Sequence, residues 1–278
     1  MKNKVFFMTA LLATVFTTVQ CVAKRTEAKE KEIKIILLHH STGGIVFNGN
    51  EEQSPEKPVS VPQWFSAYNN KEGVSYSIVE QAFPKKEPYG WKNYPYDYYN
   101  IWVKNAGDEP FMDEPTLEML TKEYDVIIFK HCFPVCKILD DTETPDINSS
   151  KKTLGNYKLQ YNALKQKMAE FTDTKFIVWT GAVMTEERIT EENGKRTREF
   201  FDWVKNEWDS EGDNIFVWDF YELETEGGIY LKPEHAVSGA DSHPNMDLAV
   251  KVIPLFCNRV VDVIENNGTK TNLKGELK

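Results

Sequence analysis

Three residue types needed for acyl transfer stand at the two ends of this chain. Ser41 lies in Ile36-Leu37-Leu38-His39-His40-Ser41-Thr42-Gly43-Gly44, just after an apolar run. Asp241 and His243 lie in Asp241-Ser242-His243-Pro244-Asn245, just before a long apolar-periodic run. A serine, an imidazole to take its proton and a carboxylate to orient the imidazole are the minimum set for catalysis through a serine ester. In an extended segment residues i and i+2 share a face, so the Asp241 carboxylate can reach Nδ1 of His243 and leave Nε2 for Ser41. Pro244 biases His243 away from helical geometry. Gly43 and Gly44 permit a tight turn after Ser41 and a close approach of backbone to an oxyanion. The simpler alternatives are that Ser41, Asp241 or Ser242 does no more than cap a helix.

The remaining histidines frame the alternatives. His40 adjoins Ser41 and is expected beside it as a supporting group. His39 would project to the opposite side. His131 follows a strand-like run, and His235 sits in Pro233-Glu234-His235, a segment with surface-loop character. A metal site would need several of these at ligand distances, and none is expected. Lys130 ends an apolar run and is expected to emerge into the crevice there, to meet substrate or an acid, or to snorkel.

The elements needed to position these residues are legible from periodicity. Strand-like runs occur at residues 33–38, 74–81, 125–130, 175–180 and 214–220, several of them continuously apolar, as in strands buried on both faces of a parallel sheet. Helix-like runs lie between and after them, at 62–69, 115–123, 157–171, 198–208 and 246–264. Pro254 is expected to kink or break the last. This alternation predicts an α/β fold with three layers, α/β/α, and a five-stranded, mostly parallel sheet. In such sheets ligands bind outside the carboxyl ends of the strands, where Ser41 stands.

Residues 82–114 exceed a minimal connection. They hold four prolines and the aromatics Tyr89, Trp91, Tyr94, Tyr96, Tyr98, Tyr99 and Trp102. Long ordered loops are often functional. These rings either form a stacking platform for carbohydrate or pack the loop onto the body.

Composition sets the boundaries. The chain has 278 residues, 41% hydrophobic, enough for one substantial core and best read as one domain. A net charge of −10 argues against nucleic acid or an anionic membrane surface as partner. Residues 1–23 begin with Lys2 and Lys4, run apolar from Val5 to Val19 and end Cys21-Val22-Ala23, which reads as a secretory signal peptide cleaved after Ala23. Lipidation at Cys21 is the alternative processing. Residues 24–32 read as a flexible leader, 33–266 as the domain and 267–278 as a polar, frayed tail. An exported location follows, whether periplasm, cell surface or medium. Cys132, Cys136 and Cys257 remain after cleavage, an odd number that forms no disulfide scaffold, with a Cys132–Cys136 bridge left open.

With Ser41 ending the first strand and D-x-H-P-N preceding the last helix, the chain resembles the SGNH/GDSL hydrolases over roughly residues 33–264. That resemblance implies a flavodoxin-like sheet, no cofactor, and hydrolysis of esters, acetyl groups on carbohydrates among them. It assigns the nucleophile to Ser41 and the base to His243. The departures are specific. His39-His40 occupy the positions of the family's Gly-Asp. The family's D-x-x-H spacing would put the acid at Ala240, so Asp241 stands one residue nearer, with Asp219 as runner-up. The third block, Gly-x-Asn-Asp, is replaced by Lys130-His131-Cys132-Phe133-Pro134. The second-block glycine best matches Gly90, with Gly107 as alternative. The oxyanion is then assigned to the amides of Ser41 and Gly90, with His131 or a backbone amide replacing the missing Asn. Three readings result: a serine esterase on glycan esters, a carbohydrate-binding protein that has lost the chemistry, and a metal-assisted hydrolase.

Overall fold

The computed structural model describes residues 31–50 and 60–278. The signal-peptide reading of residues 1–23 and most of the 24–32 leader fall outside the described residues. Lys31 is described, and its Nζ meets Asp125 at 2.7 Å.

Five strands form one sheet: β1 (Ile33–His39), β2 (Tyr76–Ala82), β3 (Val126–Lys130), β4 (Lys175–Trp179) and β5 (Ile215–Trp218), in the order β2-β1-β3-β4-β5. Every pairing is parallel. The three-layer α/β expectation is met. The central strands explain their composition: all five residues of β3 are buried, and so are all four of β5. The edge strand β2 is half-exposed and correspondingly polar, with Glu80 and Gln81.

Helices cover both faces. One layer contains α1 (Thr42–Asn48) and α2 (Val61–Glu72), packed with α8 (Met246–Asn266). The other contains α3 (Pro95–Tyr99), α5 (Leu154–Met168) and α6 (Glu191–Trp203), while α4 (Leu117–Glu123) and α7 (Phe220–Thr225) complete the connections. Side-chain oxygens of Ser60, Thr153, Thr190 and Asn245 cap α2, α5, α6 and α8 by accepting from the amide three residues on. The stripe Tyr157, Tyr161, Leu164 and Met168 is wholly buried. Short helices α1, α3 and α7 have no periodic signal long enough to read from sequence.

Two expectations about the carboxyl-terminal third are corrected. The helix α8 continues from Met246 to Asn266 with Pro254 inside it, so of the expected kink or break it is the break that is corrected. Residues 267–278 do not fray. Leu273 O accepts from the Asp219 amide at 2.8 Å and Lys274 O from the Trp218 indole at 3.0 Å, so the tail docks beside the end of β5. The cause is a buried polar anchor that a composition-based reading passes over. Asp262, 3% exposed, accepts from the amides of Lys270 and Thr271 and from the Thr271 hydroxyl. Gly275 makes the crossing: its φ is 89°, and a Cβ there would lie 1.9 Å from Leu255 O on α8.

A two-stranded antiparallel hairpin, β6 (Ala236–Ser238) and β7 (Asp241–Pro244), leads into α8. It brings the second half of the site to the first.

Candidate active site

The strand order places a topological switch between β1 and β3, from which the chain runs to β2 on one side and to β4 and β5 on the other. Ligands of open α/β sheets bind outside the carboxyl ends of strands at such a point. Ser41 follows β1 there, and residues 131–134 follow β3.

Ser41 adopts φ 48°, ψ −99° at the start of α1, outside the ordinary wells for a residue with a side chain. The strained turn leaves its side chain exposed. The glycine behind it has a steric reason. A Cβ on Gly43 would lie 2.5 Å from Cγ of His39, so α1 can start at this height only over a glycine. His39 itself is buried, and its Nε2 meets Glu80 Oε2 on the neighbouring strand at 2.6 Å. Burial, opposed by Glu80, leaves the imidazole below its ordinary pKa.

The Ser41 hydroxyl is in hydrogen-bond contact with Nε2 of His243, across 202 residues of chain. Nδ1 of His243 is 2.6 Å from Asp241 Oδ1, and the same oxygen accepts from the His243 amide at 3.1 Å. These two donations hold the Asp241 carboxyl below the usual carboxylate range. Phe133 packs edge-on against the His243 ring, with centroids 5.1 Å apart.

The hairpin is fastened from outside. Thr185 donates its amide to Ser242 Oγ at 3.0 Å and its hydroxyl to Gly239 O, and Arg188 donates to Ala240 O. Asn245 bonds the Glu234 carbonyl while capping α8. The capping role expected for Asp241 or Ser242 thus falls to Asn245, which frees Asp241 for the imidazole.

Beside Ser41 lies a cleft of about 250 Å³, lined by His40, Lys86, Trp91, Lys92, Asn93, Cys132 and Pro134. His40 is therefore placed as expected, with Nε2 on the Pro84 carbonyl. Gly90 and His131 are not. The Gly90 amide donates to Lys86 O in its own turn. His131 is buried among Tyr98, Phe129 and Tyr161, with neither ring nitrogen hydrogen-bonded, and burial pushes its pKa down to about 3. Lys130, expected in the crevice, is fully buried. Its Nζ donates to His131 O at 2.7 Å. Burial lowers the ammonium and raises the nearby buried Glu224 carboxyl to about 8, an effect that the lysine's charge opposes. A strand whose every residue is buried carries its last side chain inward too.

The runner-up acid Asp219 is committed elsewhere. It caps α7, accepts from Thr180 Oγ1 at 3.0 Å and pairs with Lys205 at 3.0 Å. His235 is buried and meets Glu226 at 3.1 Å, not a surface residue. Cys132 and Cys136 are both free thiols in this structure. Most of the aromatic loop serves packing: Tyr94, Tyr98, Tyr99 and Trp102 are buried, and Trp91 alone of the seven rings lines the cleft. Among the described residues, no three His, Cys, Asp or Glu side chains are grouped as metal ligands would be.

Lys86, Lys92, Asn93 and Cys132 were not singled out as cleft residues by sequence reasoning, Lys86 and Lys92 having no part in any motif. Their signal is the loop itself, with lysines bracketing Trp91.

No family model matches this chain, and no curated protein does. Solved structures do. One is an acetyl xylan esterase variant from Geobacillus stearothermophilus, 12% identical, aligned over 81% of this chain and 92% of that one with a TM-score of 0.48. Another is a family two carbohydrate esterase from Cellvibrio japonicus, 9% identical, covering 84% of this chain with a TM-score of 0.41. The match takes in 62% of the Cellvibrio chain, less than two thirds of its length. A third is a GDSL-like lipase from Bacteroides thetaiotaomicron, 10% identical over 82% of this chain and 89% of that one, with a TM-score of 0.37.

Proposed function

We propose that this chain is an exported serine esterase of SGNH type that removes acyl groups from carbohydrate. The observation that carries the reading is the unbroken contact from Ser41 Oγ through the His243 ring to Asp241. A caps-only account of these residues gives no reason for three such groups to meet.

In the proposed mechanism Ser41 Oγ attacks the ester carbonyl carbon while Nε2 of His243 takes its proton. Asp241 keeps the remaining ring proton on Nδ1 and stabilises the imidazolium. The oxyanion is held by the Ser41 amide and by Asn93, which takes the place assigned to Gly90 and His131. Asn93 lines the cleft, and one hydrogen of its side-chain amide is committed to Phe83 O at 2.9 Å, leaving the other. Collapse expels the sugar alkoxide, which receives the proton from His243. Water, activated by the same imidazole, then hydrolyses the acyl-Ser41 ester.

The carbohydrate assignment is supported by Trp91 in the cleft wall and by the kinds of esterase that the fold is similar to. Export is supported by the character of residues 1–23. No described helix is long and apolar enough to cross a membrane. The replaced third block favours the binding-protein reading, against which the intact serine-histidine contact weighs. Acetate release from an aryl acetate by the wild-type protein and by Ser41→Ala tests the proposal. Turnover lost in the variant supports it, and equal turnover in both refutes it.

A further inference from the structure

The chain is acidic overall, with net charge −10, yet the cleft beside Ser41 is walled by lysine. Lys86 and Lys92 line it, both exposed. Lys152 is within electrostatic reach of Lys92 and of Lys137. The Lys152 ammonium lies below its usual range, first through burial and then through the charges of Lys92 and Lys137.

Some lysines of this chain are paired with acids, and these are not. Lys122, Lys151 and Lys167 meet carboxylates at 2.6–2.7 Å. Among the described residues, Lys86, Lys92, Lys137 and Lys152 have no carboxylate within 4.0 Å. The acid whose charge reaches both Lys92 and Lys152 is Asp97, and its Oδ2 already accepts from the Lys92 and Asn93 amides at 2.7 Å each. Lys152 instead lies over the Tyr94 ring, 5.3 Å from its centroid. The Trp91 indole N–H, in the same wall, is buried and has no hydrogen-bond partner.

Lys86 and Lys92 are the charged side chains that line the cleft, with no acid among its lining residues, and a cleft lined by one sign focuses its field on ligands of the other. We propose that the Ser41 cleft recognises an acyl ester on an anionic sugar unit, with Lys86 and Lys92 holding the anion. The shared chemistry is a carboxylate, sulfate or phosphate close to the ester. The inference rests on the esterase reading and adds the substrate class to it.

Four acetylated substrates separate the sources: a methyl glucoside, the corresponding glucuronoside, the 6-sulfate and the 6-phosphate, with an aryl acetate as neutral control. At least one anionic sugar should show kcat/KM about tenfold above the glucoside, as two partly exposed charge pairs allow. The advantage should lie in KM. It should shrink between low and high salt, because exposed charges are screened. In the double variant Lys86→Gln, Lys92→Gln the ratio of anionic to neutral kcat/KM should fall toward one. The salt series on the wild-type protein needs no variant to fold. Turnover of the aryl acetate and the glucoside with no gain for any anion overturns this inference and leaves the esterase standing. No turnover of any of the five overturns both.

Discussion

Nδ1 of His243 lies 2.6 Å from Oδ1 of Asp241, two residues earlier on the same strand. The contact is local, made by strand alternation, while the other nitrogen of that ring reaches across the molecule to Ser41. One imidazole thus joins a local and a long-range contact. Its tautomer is set by the local one.

Asp241→Asn should therefore lower kcat by about 10²–10⁴ on an aryl acetate with KM little changed, because an amide can hold the ring in the wrong tautomer. Steady-state kinetics check this. A loss under about tenfold would show that Asp241 does not orient the base.

Gly43→Ala should destabilise the fold by about 1–3 kcal/mol, the range for forcing extra volume into a packed site. The new methyl would meet the root of the buried His39 side chain, which cannot swing clear. Since α1 carries the Ser41 turn, kcat should fall as well. Urea denaturation and kinetics on the same sample test the two effects together.

His131→Phe should remove an acid-side loss of stability. The folded imidazole titrates at about 3, well below its ordinary value of 6.5. Between those values the unfolded chain binds a proton that the folded chain refuses, so stability falls as pH drops from about 6.5 toward 3. At pH 5 the variant should gain about 2 kcal/mol relative to its difference from wild type at pH 7.5. Urea midpoints at the two pH values measure it, and a pH-independent difference would contradict the assignment.

Asp262→Ala should cost about 3 kcal/mol or more, because it strips a buried network of its acceptor and leaves Arg259 without its charge partner. Thermal unfolding, with proteolysis after residue 266 as a second readout, tests whether the tail is held as described.

The sheet was legible because buried parallel strands are written as continuous apolar runs, and β3 and β5 are buried at every position. Ser41, Asp241 and His243 were legible because chemistry and chain geometry point to them together. Lys130 was misread because a charge at a strand end ordinarily emerges, whereas here Glu224 and the His131 carbonyl accommodate it inside. Gly90 and His131 were assigned by analogy of position, and neither spacing nor residue type reveals that one amide closes a turn and one ring is packed in the core. The tail was misread because its anchors are single polar atoms meeting buried partners, a signal without periodicity. The cleft wall needed the loop's three-dimensional path, which sequence spacing does not contain.

The most direct test of the account is fluorophosphonate labelling of the folded protein, with the modified peptide mapped by mass spectrometry. The account predicts label on Ser41, lost in His243→Ala. A folded protein that takes no label, or takes it at another residue, would contradict the assignment of Ser41 as an activated nucleophile.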